Sequence, residues 1–215
     1  VCGAAAALGP LLGAPIGSGI FASEVLYQSS LDYDDLFPAI LAGSFGFFFY
    51  KLFYQVSSIG YNIHLPELKA EQILWVIGVA LIAGLMGQGV ILVYSICRSY
   101  FENLSLSIVF KPVVAGLIVA LLIKVFKFNQ LVDKLKIKQI IFSGLTIKVL
   151  LLLLIFKILT TVIVVSSGGS VAMVDTALLL GGLLGNLLHY LIPLPLNVLV
   201  VTSISASLAS IANVP

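Results

Sequence analysis

Charge is what this sequence has least of. Only 9% of its 215 residues are Asp, Glu, Lys or Arg, while 60% are hydrophobic. A soluble domain carries about 25% charged and about 45–50% apolar residues. The imbalance, with a mean hydropathy of +1.19, excludes a soluble domain and implies an integral membrane protein. A formal charge of +2 gives no basic patch of the kind nucleic acid requires, so no nucleic-acid partner is expected. Cysteine is nearly absent. Cys2 and Cys97 both sit in apolar sequence, make neither a disulfide framework nor a metal site, and read as buried small hydrophobes. No metal or other cofactor is implied.

Catalytic constellations are lacking too, and an enzyme is not expected. Ser170 and His189 are 19 residues apart. On one helix that is roughly 28 Å, far beyond the hydrogen-bond reach of a nucleophile and its base. Asp175 has no second Asp within a span, so an aspartyl pair is excluded. His64 lies in a polar connection beside Pro66, and His189 with Tyr190 reads as an interface anchor. The opening "VCGAAAALGP" has no basic n-region and no cleavage site, so it is not a signal peptide. The chain is expected to be a piece truncated at both ends.

What is present is a series of apolar segments. A membrane-crossing helix needs about 20 mostly apolar residues. Leu36–Tyr54, Ile73–Cys97, Leu104–Phe126, Ile141–Val165 and Ala177–Ile192 qualify, and Leu194–Ala212 is a weaker, Ser-rich candidate. The first segment, Val1–Tyr27, carries Pro10, Pro15 and several glycines. It reads as two short helices meeting at "GAPIG". The connections are "QSSLDYDD" (28–35), "GYNIHLPELKAEQ" (60–72) and "KFNQLVDKLKIKQ" (127–139). Glu67 and Glu71 lie near a helix start, and the lysines of the last connection favour a cytoplasmic side. "AAAALGPLLGAP" (4–15) can be laid on "ISASLASIANVP" (204–215), so that Leu8 meets Leu208 and Pro15 meets Pro215. Paired halves of this kind recur in transporters.

One stretch interrupts the pattern: "SSGGSVAMVD", residues 166–175, between two apolar runs. Gly and Ser at this density make a poor helix interior. It is either an ordinary loop between spans, with serines as N-caps, or a helix broken inside the membrane. Irregular backbone at membrane depth is tolerated only where it is buried in protein or lines a wet cavity. There, the N-terminus of the next helix offers free N–H groups and about half a positive charge to an anion. Residues 166–172 are expected to be non-helical, with a helix starting between Met173 and Thr176.

The segment "KILTTVIVVSSGGSVAMVDTALLLGGLLG" resembles the CLC family of chloride channels and proton-coupled chloride transporters. Lys157, Thr161, Ser167, Gly168, Ser170, Gly181 and Gly185 fall into the family pattern. The N-terminal "CGAAAALGPLLGAPIGSGIFASEVLY" is similar to a second family segment through Gly3, Ala4, Ala5, Ala14, Pro15, Phe21 and Glu24. "ASIANVP" is similar to the related Pro-containing segment of the family's second half. Residues 28–140 match in hydropathy alone. The resemblance implies an all-α, polytopic membrane protein with broken, re-entrant helices and CLC-type inverted repeats. Residues 1–60 would end the first half, and residues 61–215 would form most of the second. It implies chloride or a similar small anion as cargo, the lipid bilayer as surroundings, a homodimer, and a multi-pass protein of the plasma membrane.

The anion site implied by the resemblance is the backbone around Ser170, Val171, Ala172, Met173 and Val174. The family's Gly-Gly-x-Phe-x-Pro is here Val171-Ala172-Met173-Val174-Asp175-Thr176. Backbone donors survive that change, but Val171 lacks the conformational freedom of glycine. Asp175 in a first helical turn suits the helix dipole and repels a nearby chloride. It either has a use, or faces water, or satisfies free N–H groups. Lys148 and Lys157 are expected to snorkel or to line the protein interior. Proton-coupled members often carry two consecutive carboxylates where this sequence has Glu24 and Val25. Glu24 is therefore either a proton relay or a structural carboxylate at the cytoplasmic mouth, and weak or absent proton coupling is expected.

Overall fold

The computed structural model describes residues 1–27, 33–53, 66–104, 107, 109–125 and 145–212. Among them the secondary structure is entirely helical: α1 (Cys2–Leu12), α2 (Pro15–Tyr27), α3 (Tyr33–Phe53), α4 (Ala70–Asn103), α5 (Phe110–Val125), α6 (Ile147–Ser166), α7 (Met173–Leu188) and α8 (Leu196–Ala212). Of the described helices, α3, α4 and α6 are long and apolar enough to cross a membrane, whereas α1, α7 and α8 are apolar but shorter. The chain is an integral membrane protein. It forms two compact units, one within Val1–His64 and the other Leu65–Ala212.

In the first unit α1 and α2 are separate helices, as "GAPIG" indicates. Gly13 takes φ 70° and its N–H bonds the carbonyl of Gly9, the left-handed closure that glycine adopts without steric cost. Pro15 then opens α2 at the position where its missing N–H costs nothing. The three helices meet through small residues. A side chain at Gly19 would stand 2.6 Å from the Cα of Ile40, and one at Gly9 2.5 Å from the carbonyl oxygen of Gly43. Close backbone approach of this kind drives helix packing where lipid competes for apolar contact. Cys2 is exposed, against the expectation that both cysteines are buried. It is the first residue of α1, one turn before the buried Ala5, and Cys97 is only half-buried.

In the second unit α8 packs on α4 and α7, and α6 packs on α4, α5 and α7. Val79, Ala83, Leu184, Leu188, Leu194 and Leu199 form one core cluster, and Val90, Val162 and Leu180 another. The serines that weaken α8 in hydropathy are its packing surface. Ser207 Oγ donates to the carbonyl of Ala177 at 2.9 Å, and Ser210 Oγ to that of Gly84 at 2.8 Å. Gly181 and Gly185 face α8 so closely that a Cβ at either would meet an α8 Cα at 2.6 Å.

Several expected boundaries shift. α4 runs past Cys97 to Asn103, and the exposed Arg98–Glu102 pair, 2.8 Å apart, adds an i,i+4 contact to its last turns. Its start gains the Lys69 N–H to Gln72 Oε1 bond of 2.9 Å. Leu104 takes extended dihedrals and ends α4, so the next helix begins at Phe110 rather than Leu104. α7 starts four residues before Ala177, since Met173–Thr176 already form its first turn. The connection 127–139, His64, the first five residues of 28–35 and Asn213–Pro215 of the proposed repeat lie outside the described residues.

Candidate functional site

The "SSGGS" stretch is a helix-closing motif followed by an extended lead-in. Ser166 is the last residue of α6, one beyond the expected end. The Gly168 N–H bonds the carbonyl of Val165 at 3.1 Å and the Gly169 N–H bonds that of Val164 at 3.0 Å. These are the two bonds of a Schellman motif, with Gly168 in the left-handed position at φ 90°. Both glycines are required. Gly168 supplies the φ, and a Cβ on Gly169 would stand 2.9 Å from the carbonyl oxygen of Val164.

The serines do not cap the next helix. Ser167 Oγ donates back to the carbonyl of Val164 at 2.7 Å, and Ser166 Oγ to that of Tyr94 on α4 at 3.4 Å. The N-cap is Ala172, extended at φ −69° and ψ 97°, with no side-chain cap bond. Ala172 therefore needs no glycine-like conformation. The first turn-closing bond runs from the Thr176 N–H to the carbonyl of Ala172, 3.0 Å. The amides of Met173, Val174 and Asp175 precede it, so they have no partner within the helix. Ser170, Ala172 and Met173 are exposed, and Val171 and Val174 are half-buried.

Asp175 has a partner that the sequence does not announce. Lys157 Nζ on α6 stands 3.3 Å from Asp175 Oδ2. Lys157 lies nine residues before the last residue of α6, about 13 Å along the axis. An extended lysine stem spans less than that. The carboxylate is therefore met inside the length of a helix able to cross a membrane, not beyond its end. Lys157 lines the interior, one of its two expected alternatives, while Lys148 is exposed at the start of α6. Ser170 and His189 lie at opposite ends of α7, and His189 Nδ1 sits 3.1 Å from the carbonyl oxygen of Leu194.

The family model described as voltage gated chloride channel matches residues 1–215, the whole of the sequence. The chain belongs to the voltage-gated chloride channel family. An uncharacterized protein of Methanocaldococcus jannaschii is 27% identical over 130 residues, covering 57% of this chain and 31% of that relative. The chain thus spans about a third of the length of the curated relative it matches. No solved structure matches it.

Within this member of the family, Glu24 lies in the last turn of α2, half-buried, with no hydrogen bond or ion pair among the described residues. A carboxylate at a helix C-terminus opposes the dipole, so local structure does not account for it. No group of three or more metal-ligating side chains occurs among the described residues.

Proposed function

We propose that the protein contributes to moving chloride or a similar small anion across a lipid bilayer, and that the anion is held by backbone donors at Ser170, Val171, Ala172, Met173 and Val174. The observation that carries this reading is the restart of α7 with three amides unpartnered within the helix, beside a break closed by Gly168 and Gly169. A helix N-terminus in a low-dielectric surrounding is an anion site that requires no unpaired cation. The two compact units would correspond to the end of the first family half and most of the second. A homodimer in the plasma membrane, with voltage gating, fits the family. Val25 beside Glu24 supports weak or absent proton coupling, because valine cannot relay a proton.

A second reading, a non-conducting membrane scaffold, is favoured by one observation: Asp175 places a negative charge in the turn that would face the anion. Chloride efflux from liposomes containing the full-length protein separates the two. Selective efflux, lost when chloride is replaced by gluconate, is expected. No efflux would favour the scaffold. A proton gradient imposed at equal chloride is expected to drive no anion flux, and uphill anion movement would contradict the uncoupled reading.

A further inference from the structure

We infer that Asp175 is an internal competitor of the permeating anion: its carboxylate occupies Lys157, and an anion entering at the start of α7 takes Lys157 over from it. The inference rests on the anion-site reading above and adds the residues that set affinity.

Three observations carry it. Lys157 is the cation paired with Asp175, at 3.3 Å, and the pair joins α6 to the first turn of α7. The pair is not sealed, since 26% of the Lys157 side chain and 42% of the Asp175 side chain remain accessible. A partly open ion pair is one an anion can reach and exchange with, whereas a fully buried pair is held by the cost of separating it. Thr176, in the same helical turn, is only 1% exposed, and its hydroxyl has no hydrogen-bond partner among the described residues. That hydroxyl is a buried donor in the residue next to the competing carboxylate.

The electrostatics fix the direction of the effect. With Asp175 charged, the dipole end of α7 and Lys157 are both already partnered by a carboxylate, and a second anion is repelled. Without that charge, Lys157 is left needing an anion. A unit charge a few ångströms away in a protein interior is worth at least a ten-fold change in affinity.

The test is chloride titration of the full-length protein in detergent by calorimetry, with thermal unfolding followed across the same chloride series. Asp175→Asn is expected to bind chloride at least about ten-fold more tightly than wild type, and its melting temperature should rise more steeply with chloride, because the ligand now partners Lys157. Lys157→Met should bind chloride more weakly than wild type. Lys157→Arg keeps the pair and the fold, and its bidentate grip on the carboxylate should weaken chloride binding. Equal or weaker binding in Asp175→Asn, or tighter binding in Lys157→Arg, overturns the competitor role while leaving the anion site standing. Absence of chloride binding in wild type and every variant overturns the anion site itself, and the competitor with it.

Discussion

Among the described residues two helices end on a left-handed glycine, α1 in a single-bond turn and α6 in a Schellman motif, and the chain then does different things. After α1, Gly13 turns left-handed and only Ala14 separates it from Pro15, the first residue of α2. After α6, Gly168 turns left-handed, and Gly169–Ala172 lead to Met173. The first break restarts on a proline, so one amide that would lack a partner is already absent. Its first turn, Pro15-Ile16-Gly17-Ser18, carries no charged residue. The second restarts on Met173, Val174 and Asp175, which all keep their amides, and it sets a carboxylate against Lys157. A left-handed glycine therefore only ends a helix. The residues that reopen the chain decide whether the gap is a joint or a site.

Removing the cation paired at the second break should have the largest effect. Lys157→Leu leaves the Asp175 carboxylate without its cation beside α6, a helix able to cross a membrane, where an unpaired charge is costly. It is expected to cut the folded yield of the full-length protein sharply, measured by size-exclusion profile. The double variant Lys157→Leu with Asp175→Leu should recover most of that yield, since replacing both partners removes the unpaired charge. No recovery would show that the pair is not what stabilises the turn.

The closing glycines should behave alike. Gly13→Val and Gly168→Val each force a branched residue into the left-handed region, at roughly 1–2 kcal/mol, and both should lower the melting temperature by several degrees. The next residue sharpens the contrast. Position 14 is already alanine, whereas Gly169→Ala brings a Cβ within 2.9 Å of the Val164 carbonyl oxygen, an overpacking cost of about 1–3 kcal/mol. Equal stability of Gly169→Ala and wild type would mean that the two breaks close differently from this description.

The smallest effects concern supporting bonds. Ser207→Ala removes a hydroxyl donated to Ala177 near the start of α7. Ser18→Ala removes one donated to Pro15 at the start of α2. A bond between helices in a membrane is worth about 0.6 kcal/mol, so Ser207→Ala should lower the melting temperature by about 2 °C, whereas the Ser18 bond stays within α2 and its loss should shift it less. Ser207→Ala should also weaken chloride binding, because it loosens the helix that carries the site. Ser18→Ala should leave chloride binding unchanged.

These contrasts also show what was legible in the sequence. "GAPIG" and "SSGGS" announce their breaks because glycine and proline act locally, through φ and a missing N–H. The start of α7 between Met173 and Thr176 follows from the same reasoning. The Lys157–Asp175 pair does not, because its partners are 18 residues apart. Their meeting depends on how the Schellman turn and the extended lead-in set α7 against α6. The serines mislead in two ways. Their hydropathy marks α8 as a weak span, although Ser207 and Ser210 face helix carbonyls. Their chemistry suggests N-caps at the break, although Ser166 and Ser167 bond backwards to α4 and α6. Pairing across helices is a tertiary property, and hydropathy read along one helix does not contain it.

The most direct test of the central claim is the position of a heavy anion in the full-length protein. Crystals grown in bromide and measured at the bromine absorption edge would show where the anion binds. An anomalous peak is expected within about 3.5 Å of the Met173 and Val174 amide nitrogens, the range of a long hydrogen bond, and a stronger peak in Asp175→Asn than in wild type. A protein that transports chloride but shows its bromide peak elsewhere, with nothing at the start of α7, would contradict that claim.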